Sequence, residues 1–212
     1  IGSVAPGIDA TVTAEFTRAP AQSAGQITDA LVAAVPLDPP SQGLQLVYDA
    51  GPWNARIRHD RNWFVFHAVL DAPPRVVILR LVDRGSLVCQ CNFSPIPDAP
   101  PGQHTPLGHF EQDIRRSLGK AFREVAKQEV SQLADGRTLV EVITRGEVEV
   151  AGRTKTGEAS TLAVPMEWRY YIVADARGRQ MSFVFSVEQA VAEQLGHRDR
   201  ALATSIEFLG GR

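Results

Sequence analysis

Apolar and polar residues alternate along much of this chain, and the alternation predicts a protein built mainly from strands. The best-defined example comprises Arg75–Val82 and Leu87–Phe93, two apolar-rich runs with the turn residues Asp83–Ser86 between them. Strand-like runs that flank such a turn are typical of a β-hairpin. We therefore place a hairpin near the centre of the fold.

Three shorter segments upstream also have the aromatic and β-branched composition of strands. They are Leu44–Tyr48, Trp53–Ile57 and Trp63–Leu70. The residues Arg58–Asn62 lie between the last two segments. We interpret them as the turn that joins these two strands.

Turn signals define two further hairpins downstream. Phe122–Gln132 fits a helix about as well as a strand, but Asp135-Gly136 follows it and is a strong hairpin signal. Because the run after that turn alternates regularly, we predict that Phe122–Gln132 is a strand. Trp168–Val173 and Gln180–Ser186 flank another turn and predict the closing hairpin.

The clearest helical pattern follows the proline-rich loop Ser94–Pro106. Its apolar residues recur at helical spacing and predict one buried stripe. They are Leu107, Phe110, Ile114 and Leu118. Thr105 is the predicted N-cap with Pro106 at the first helical position, and Gly119 is the predicted end of the helix.

The C-terminal part of the chain predicts a second helix. Ser186-Val-Glu-Gln189 has the form of a capping box and is expected to begin a helix that ends near Gly196. Asp199–Ser205 predicts one or two last helical turns. Ile206 and Phe208 are expected to pack the end of the chain against the domain.

The first 43 residues differ from the rest in being rich in Ala, Pro, Gly and Thr. Thr11–Phe16 alternates like an exposed strand, whereas Ile27–Val35 fits a short helix or a strand. We predict that residues 1–43 form an N-terminal extension that packs on the domain with one or two strands. Residues 44–212 are then a single domain.

Composition narrows the range of functions. A chain of 212 residues with 44% hydrophobic residues can bury a substantial core, and its net charge of −2 is too small to favour nucleic acid as a partner. No apolar run reaches the roughly 20 residues that a membrane span requires. The chain begins with Ile1 rather than methionine, as expected of either a processed mature protein or an excised fragment. We expect a bacterial protein that works in an extracytoplasmic (secreted or periplasmic) location.

The central hairpin supports a resemblance to a known family. The segment Val77–Phe93 resembles the central strand pair of the PsbP-like superfamily, and Trp168–Val173, Gly178–Phe185 and the helix that runs on to Phe208 are similar to its closing elements. That superfamily includes extrinsic photosystem II subunits, Ran-binding import factors and bacterial proteins of unknown role.

The resemblance covers roughly Trp53–Leu209 and implies an α+β fold, an α/β/α sandwich around an antiparallel β-sheet. It also implies a binding or assembly role without catalysis, because known members are mostly not enzymes. It carries over no site residue and no cofactor to this chain.

Cys89 and Cys91 share one face of a predicted strand, with His104 and His109 downstream. A disulfide between residues i and i+2 of a strand is disfavoured, because their Cβ atoms are about 6–7 Å apart. The cysteine spacing also differs from that of common zinc sites. We interpret the cysteines as buried small residues and predict neither a metal nor a cofactor.

Basic residues cluster between two tryptophans, a pattern that can bind single-stranded nucleic acid. The cluster comprises Arg56, Arg58, His59 and Arg61, with Trp53 and Trp63 at its edges. With so small a net charge, we favour a solvated turn over a nucleic-acid site.

Two further sets of residues are candidates for a site. Glu141, Glu147 and Glu149 alternate with valines around Arg145, which predicts a solvated sheet face or a surface for a basic partner. Trp168, Tyr170 and Phe183 could line a pocket, but aromatic residues on neighbouring strands usually form core.

No catalytic motif is present, so the leading hypothesis is a non-catalytic binding or scaffold domain whose partner is another protein. The alternative is a small-molecule or metal-binding protein, a class that includes enzymes. In that alternative the loop Ser94–Pro106 forms the wall of a pocket, and His104 and His109 contribute to it.

Overall fold

The computed structural model describes residues 45–153 and 159–210 of the chain. The segments Thr11–Phe16 and Ile27–Val35, for which the sequence predicts regular structure, lie outside the described residues. The packing of the extension 1–43 on the domain therefore stays a prediction.

The centre of the architecture is an antiparallel sheet of seven strands in the order β3-β4-β5-β9-β8-β7-β6. Hairpins supply most of the neighbours in this order. Pairing of β5 with β9 joins the two halves of the sheet and places Phe93 opposite Phe183. The strands are β3 Trp63–Val69, β4 Val76–Asp83, β5 Ser86–Ile96, β6 Phe122–Gln132, β7 Thr138–Arg153, β8 Ala159–Ala174 and β9 Gln180–Glu188.

A second sheet has three strands in the order β1-β2-β10, with β1 Gln45–Ala50, β2 Ala55–Asp60 and β10 Glu207–Phe208. The prediction that Arg58–Asn62 is a hairpin turn is wrong. Residues 58–60 belong to β2, and β2 pairs with β1 and β10 while β3 joins the large sheet. The connection therefore leads from one sheet to the other.

Helices cover both faces of the large sheet, which confirms the expected sandwich around an antiparallel sheet. Helix α1 (Leu107–Leu118) lies on one face, here called the α1 face, and buries Phe110 and Ile114 against it. Helices α2 (Ala192–Leu195) and α3 (Arg198–Thr204) lie with the small sheet on the opposite face, the α3 face. None of the described helices is long and apolar enough to cross a membrane.

Aromatic packing holds the small sheet to the α3 face. Phe93 stacks on Phe183 with ring centroids 5.3 Å apart, and the edge of Trp53 meets Phe93 at 5.2 Å. Such pairs add stability beyond the area that they bury. The α3 face therefore carries the larger of two cores, one on each side of the sheet.

The ends of helix α1 agree only in part with the sequence prediction. Gly119 ends the helix with a φ of +51°, a conformation that favours glycine. The N-cap, however, is Pro106, with no side-chain cap, so Thr105 does not have the predicted role.

The predicted capping box at Ser186–Gln189 is wrong. Strand β9 continues to Glu188, which pairs with Met166 of β8, and a short 3₁₀ turn follows before α2. The ladder with β8 satisfies the backbone groups that a helix would otherwise use. Helix α2 does end at Gly196, as expected.

Phe122–Gln132 is a strand, as predicted, and it forms one edge of the large sheet. Its register against β7 shifts twice, and strand β3 at the other edge shifts once against β4. Bulges of this kind twist an edge and hinder uncontrolled pairing with other chains.

Candidate functional site

Cys89 and Cys91 point into the core of the α3 face, where both are fully buried and free. Burial raises the pKa of each thiol well above its ordinary value, so the reactive thiolate is disfavoured. The structure thus confirms their interpretation as small core residues. His109 belongs to α1 on the opposite face, so the structure does not bring these groups together. Within the described ranges, no three His, Cys, Asp or Glu side chains form a group that could hold a metal.

The predicted loop Ser94–Pro106 is wrong at its start, because Ser94–Ile96 belong to β5 and pair with β9. The remaining loop, residues 97–106, packs against the turn between β8 and β9. Backbone hydrogen bonds join Ala99 N to Gly178 O at 2.8 Å and Gly102 N to Ala176 O at 3.0 Å. Gly178 has a φ of +88°, and a Cβ there would lie 1.9 Å from the Ala99 carbonyl oxygen. The loop is therefore fastened to the sheet, which does not favour the pocket proposed for it. His104 lies in this loop, and its Nδ1 is 2.9 Å from the Thr105 carbonyl oxygen.

The basic cluster near β2 is engaged within the fold. Arg56 and Arg58 both bind the Glu207 carboxylate of β10, each through a 2.6 Å contact. The flanking aromatic residues Trp53 and Trp63 belong to the core rather than to a stacking surface. His59 is also buried, and Arg61 follows in the turn before β3. The arrangement joins β2 to the C-terminal strand and does not resemble a nucleic-acid platform.

The three aromatic residues considered as pocket-lining are all buried, which confirms the core interpretation. They do not form one cluster, however. Trp168 and Tyr170 face α1, whereas Phe183 lies in the core of the α3 face. A pocket lined by all three is therefore ruled out by the alternation of the strands.

The predicted solvated glutamate face divides into two parts. Glu141 is buried, contrary to the prediction, because α3 covers it and supplies Arg200 at 3.0 Å. Lys127 of β6 contacts the same carboxylate at 2.9 Å. Glu147 and Glu149, farther along β7, are exposed as predicted.

Sequence reasoning missed a second set of buried charges beside Glu141. Glu167 accepts hydrogen bonds from Arg145 at 3.1 Å and Arg169 at 2.8 Å. Asp199 of α3 accepts from Arg169 at 3.0 Å and from the Tyr171 hydroxyl at 2.7 Å. The available signal was Arg169 itself, a charged residue in the otherwise apolar run Trp168–Val173. This network attaches α3 to the sheet.

The most distinctive surface feature is the far half of the hairpin formed by β7 and β8. Pairing of β6 with β7 ends at Phe122–Gly146, and pairing of β9 with β8 ends at Glu188–Met166. Strands β7 and β8 continue for seven more residue pairs, from Glu147–Pro165 to Arg153–Ala159. We call residues 147–153 and 159–165 the β7–β8 arm. At about 3.3 Å per residue, the arm extends roughly 20 Å beyond its neighbours.

The two sides of the arm differ in chemistry. The side continuous with the α1 face carries apolar residues, of which Leu162 is 64% exposed, the largest value among the exposed large hydrophobic residues described. The other residues of this apolar side are Val148, Val150 and Val164. The opposite side carries the exposed carboxylates of Glu147 and Glu149. The arm is thus an amphipathic ribbon with one apolar and one acidic side.

A second exposed apolar patch lies at the opposite edge of the sheet. Phe66 of β3 is 58% exposed, and the Arg80 guanidinium lies over its ring at 3.5 Å. Arg80 also donates to Gln90 Oε1 at 3.4 Å. This patch is therefore covered in part by the chain's own cation. On the apolar side of the arm, Val148 and Val164 pack against the core of the α1 face, and Leu162 stays exposed.

Comparison with known proteins bears on the fold. No protein-family model and no curated protein matches the chain. The chain is similar to the solution structure of cyanobacterial PsbP (CyanoP) from Synechocystis sp. PCC 6803, with a TM-score of 0.50 and 15% sequence identity. The match covers 81% of this chain and 98% of that one. This chain therefore has a PsbP-like fold, as the resemblance of its hairpins implies.

Proposed function

We propose that this chain is a non-catalytic protein-binding domain and that the β7–β8 arm is its docking element. The observation that carries this proposal is the seven residue pairs that project beyond the sheet with exposed Leu162 on one side and Glu147 and Glu149 on the other. Protein–protein interfaces commonly have an apolar centre and a polar rim, and the arm offers apolar and charged residues side by side in this way.

The energetics of a two-stranded ribbon support this role. Val148 and Val164 pack against the core at the base of the arm, but the residue pairs beyond them have no third described strand, and an isolated hairpin is only marginally stable in water. A partner that covers the apolar side would bury Leu162, a side chain whose transfer from water is worth about 1–2 kcal/mol. Binding and ordering of the arm would then reinforce each other.

The engagement of polar groups elsewhere supports a role without catalysis. Glu141, Glu167 and Asp199, the buried carboxylates described, are each held by at least two neighbouring donors. Cys89 and Cys91 are enclosed in the core with raised pKa values. These groups are engaged in holding the fold together, which supports a role in binding rather than in catalysis.

Site-specific photo-cross-linking in the native cell tests the proposal. A photoreactive amino acid at position 162 should give a cross-link to one defined protein, because this position lies at the interface. The control is position 113, since Asp113 is exposed on α1 and lies outside the arm. Absence of a cross-link at 162, or the same products from both positions, would show that the arm is not the docking element.

An extracytoplasmic location is part of the same proposal, and the family resemblance is what supports it. Cell fractionation with antibody against the chain should find it outside the cytoplasmic membrane or in the periplasm. Recovery with cytoplasmic markers would remove this part of the proposal and leave the docking role intact.

A further inference from the structure

The arm has a free backbone edge along β7. Strand β6 ends its pairing at Gly146, so the outward N–H and C=O groups of residues 147–153 pair with no other described strand. The corresponding edge of β8 begins at Pro165, which has no N–H to donate. The β7 edge is therefore the better template for an added strand.

The side chains along this edge alternate strictly in character. Glu147 and Glu149 point to one side, and Val148 and Val150 point to the other. On β8, the residues opposite the two glutamates are Pro165 and Ala163, which offer no positive charge. Within the described residues, the Glu147 carboxylate forms an ion pair with the Arg123 guanidinium at 3.4 Å, and Glu149 makes no ion pair.

An added strand would place its own side chains directly beside these residues. Cross-strand neighbours of opposite charge stabilise a sheet, as do pairs of β-branched residues, by roughly 0.2–1 kcal/mol per pair. The edge therefore favours a strand with basic residues beside the glutamates and apolar residues beside the valines.

We propose that the arm binds an extended segment of a partner protein in which basic and apolar residues alternate, and that this segment pairs with β7 as a third strand. This inference rests on the proposed function, since it names the class of partner for the same arm. Main-chain hydrogen bonds supply affinity in such strand addition, and the alternating side chains supply specificity.

Synthetic peptides test the inference with the full chain. A labelled peptide of alternating lysine and valine should bind in fluorescence anisotropy, and binding should weaken as salt is raised. A peptide of the same composition with its lysines and valines in separate blocks should bind at least about tenfold more weakly, because it lacks the alternation. Equal binding of the two peptides would contradict strand addition.

Charge reversal tests the role of the two glutamates. The double variant Glu147→Lys and Glu149→Lys should bind the lysine–valine peptide about tenfold more weakly and should gain affinity for a glutamate–valine peptide. The matched control is Glu193→Lys, which reverses an exposed carboxylate on α2 and should change neither affinity. Unchanged affinity in the double variant would overturn the inference.

The two proposals fail in different ways. If position 162 cross-links to a partner but no alternating peptide binds, the arm is a docking element for another class of surface. If neither result is obtained, both the docking role and the partner class are wrong.

Discussion

The Tyr171 hydroxyl donates a hydrogen bond to Asp199 Oδ2 at 2.7 Å beneath helix α3. Arg169 donates to the same oxygen at 3.0 Å, so one buried carboxylate joins α3 to two positions on β8. Asp199 is 1% exposed, which means that its charge depends on these two donors rather than on water.

Replacement of Asp199 should therefore have a large effect. Asp199→Ala leaves the Arg169 charge without this partner, and such changes lower the free energy of unfolding by about 3 kcal/mol or more. Urea unfolding monitored by circular dichroism measures the loss. Asp113→Ala, on exposed α1, is the control and should change stability by less than about 0.5 kcal/mol. A loss at Asp199 as small as at Asp113 would contradict the structural role of the network.

Loss of the hydroxyl should affect the free energy of unfolding differently at the adjacent residues Tyr170 and Tyr171. Tyr171→Phe removes the bond to Asp199 and should destabilise the domain by about 1–3 kcal/mol. The Tyr170 hydroxyl lies buried on the α1 face without a hydrogen-bond partner among the described residues. Tyr170→Phe should therefore leave the free energy of unfolding unchanged or raise it by up to about 1 kcal/mol. Comparable losses in both variants would show that Tyr170 has a partner of its own.

Stability should fall in alkaline solution. Burial raises the pKa of Tyr170 and Tyr171, and the charge of Asp199 raises that of Tyr171 further. Above about pH 10 the unfolded chain loses phenol protons that the folded chain retains, so the free energy of unfolding decreases as pH rises. Unfolding curves between about pH 9 and about pH 11 should show this decrease, and Tyr170→Phe should make it smaller. If the free energy of unfolding fell equally steeply with pH in Tyr170→Phe, the raised pKa of Tyr170 would not contribute to the decrease.

Gly146 marks the point where the arm leaves the sheet, and it has no room for a side chain. A Cβ at this position would lie 1.8 Å from the Ala121 carbonyl oxygen and 3.1 Å from the Trp168 ring. Gly146→Ala should force the 3₁₀ turn Gly119–Ala121, which follows α1, away from the sheet and destabilise the domain by about 1–3 kcal/mol. Gly152→Ala, in the arm itself, is the matched control, because its nearest neighbour is 3.5 Å away. Thermal unfolding of the two variants should separate them.

Local signals were sufficient to predict most of the large sheet. The hairpins around Asp83–Ser86 and Asp135-Gly136 form as predicted, because turn residues and alternation specify them within a few residues of chain. The ambiguous segment Phe122–Gln132 was also resolved by the turn that follows it. Pairing between distant segments is not specified by local signals. The predicted hairpin turn at Arg58–Asn62 is therefore wrong, because β2 pairs with β1 and β10 rather than with β3.

The candidate site could be predicted only in part. The sequence shows Glu141, Glu147 and Glu149 on one face of a strand, and that alternation is present in the structure. It does not show that α3 covers Glu141 with Arg200. It also does not show that β6 pairs with β7 only as far as Gly146, or that β9 pairs with β8 only as far as Met166. Both facts depend on where distant segments stop. The arm was therefore visible in the sequence only as part of a long hairpin.

The most direct test of the docking role removes the arm beyond its first two residue pairs and keeps the sheet. In this variant Asn-Gly replaces residues 149–163 and joins the paired residues Val148 and Val164 through a tight turn. We predict that the free energy of unfolding changes by less than about 1 kcal/mol and that the protein cross-linked at position 162 no longer co-purifies with the chain. Retention of that protein by a folded variant with the shortened arm would contradict the central claim.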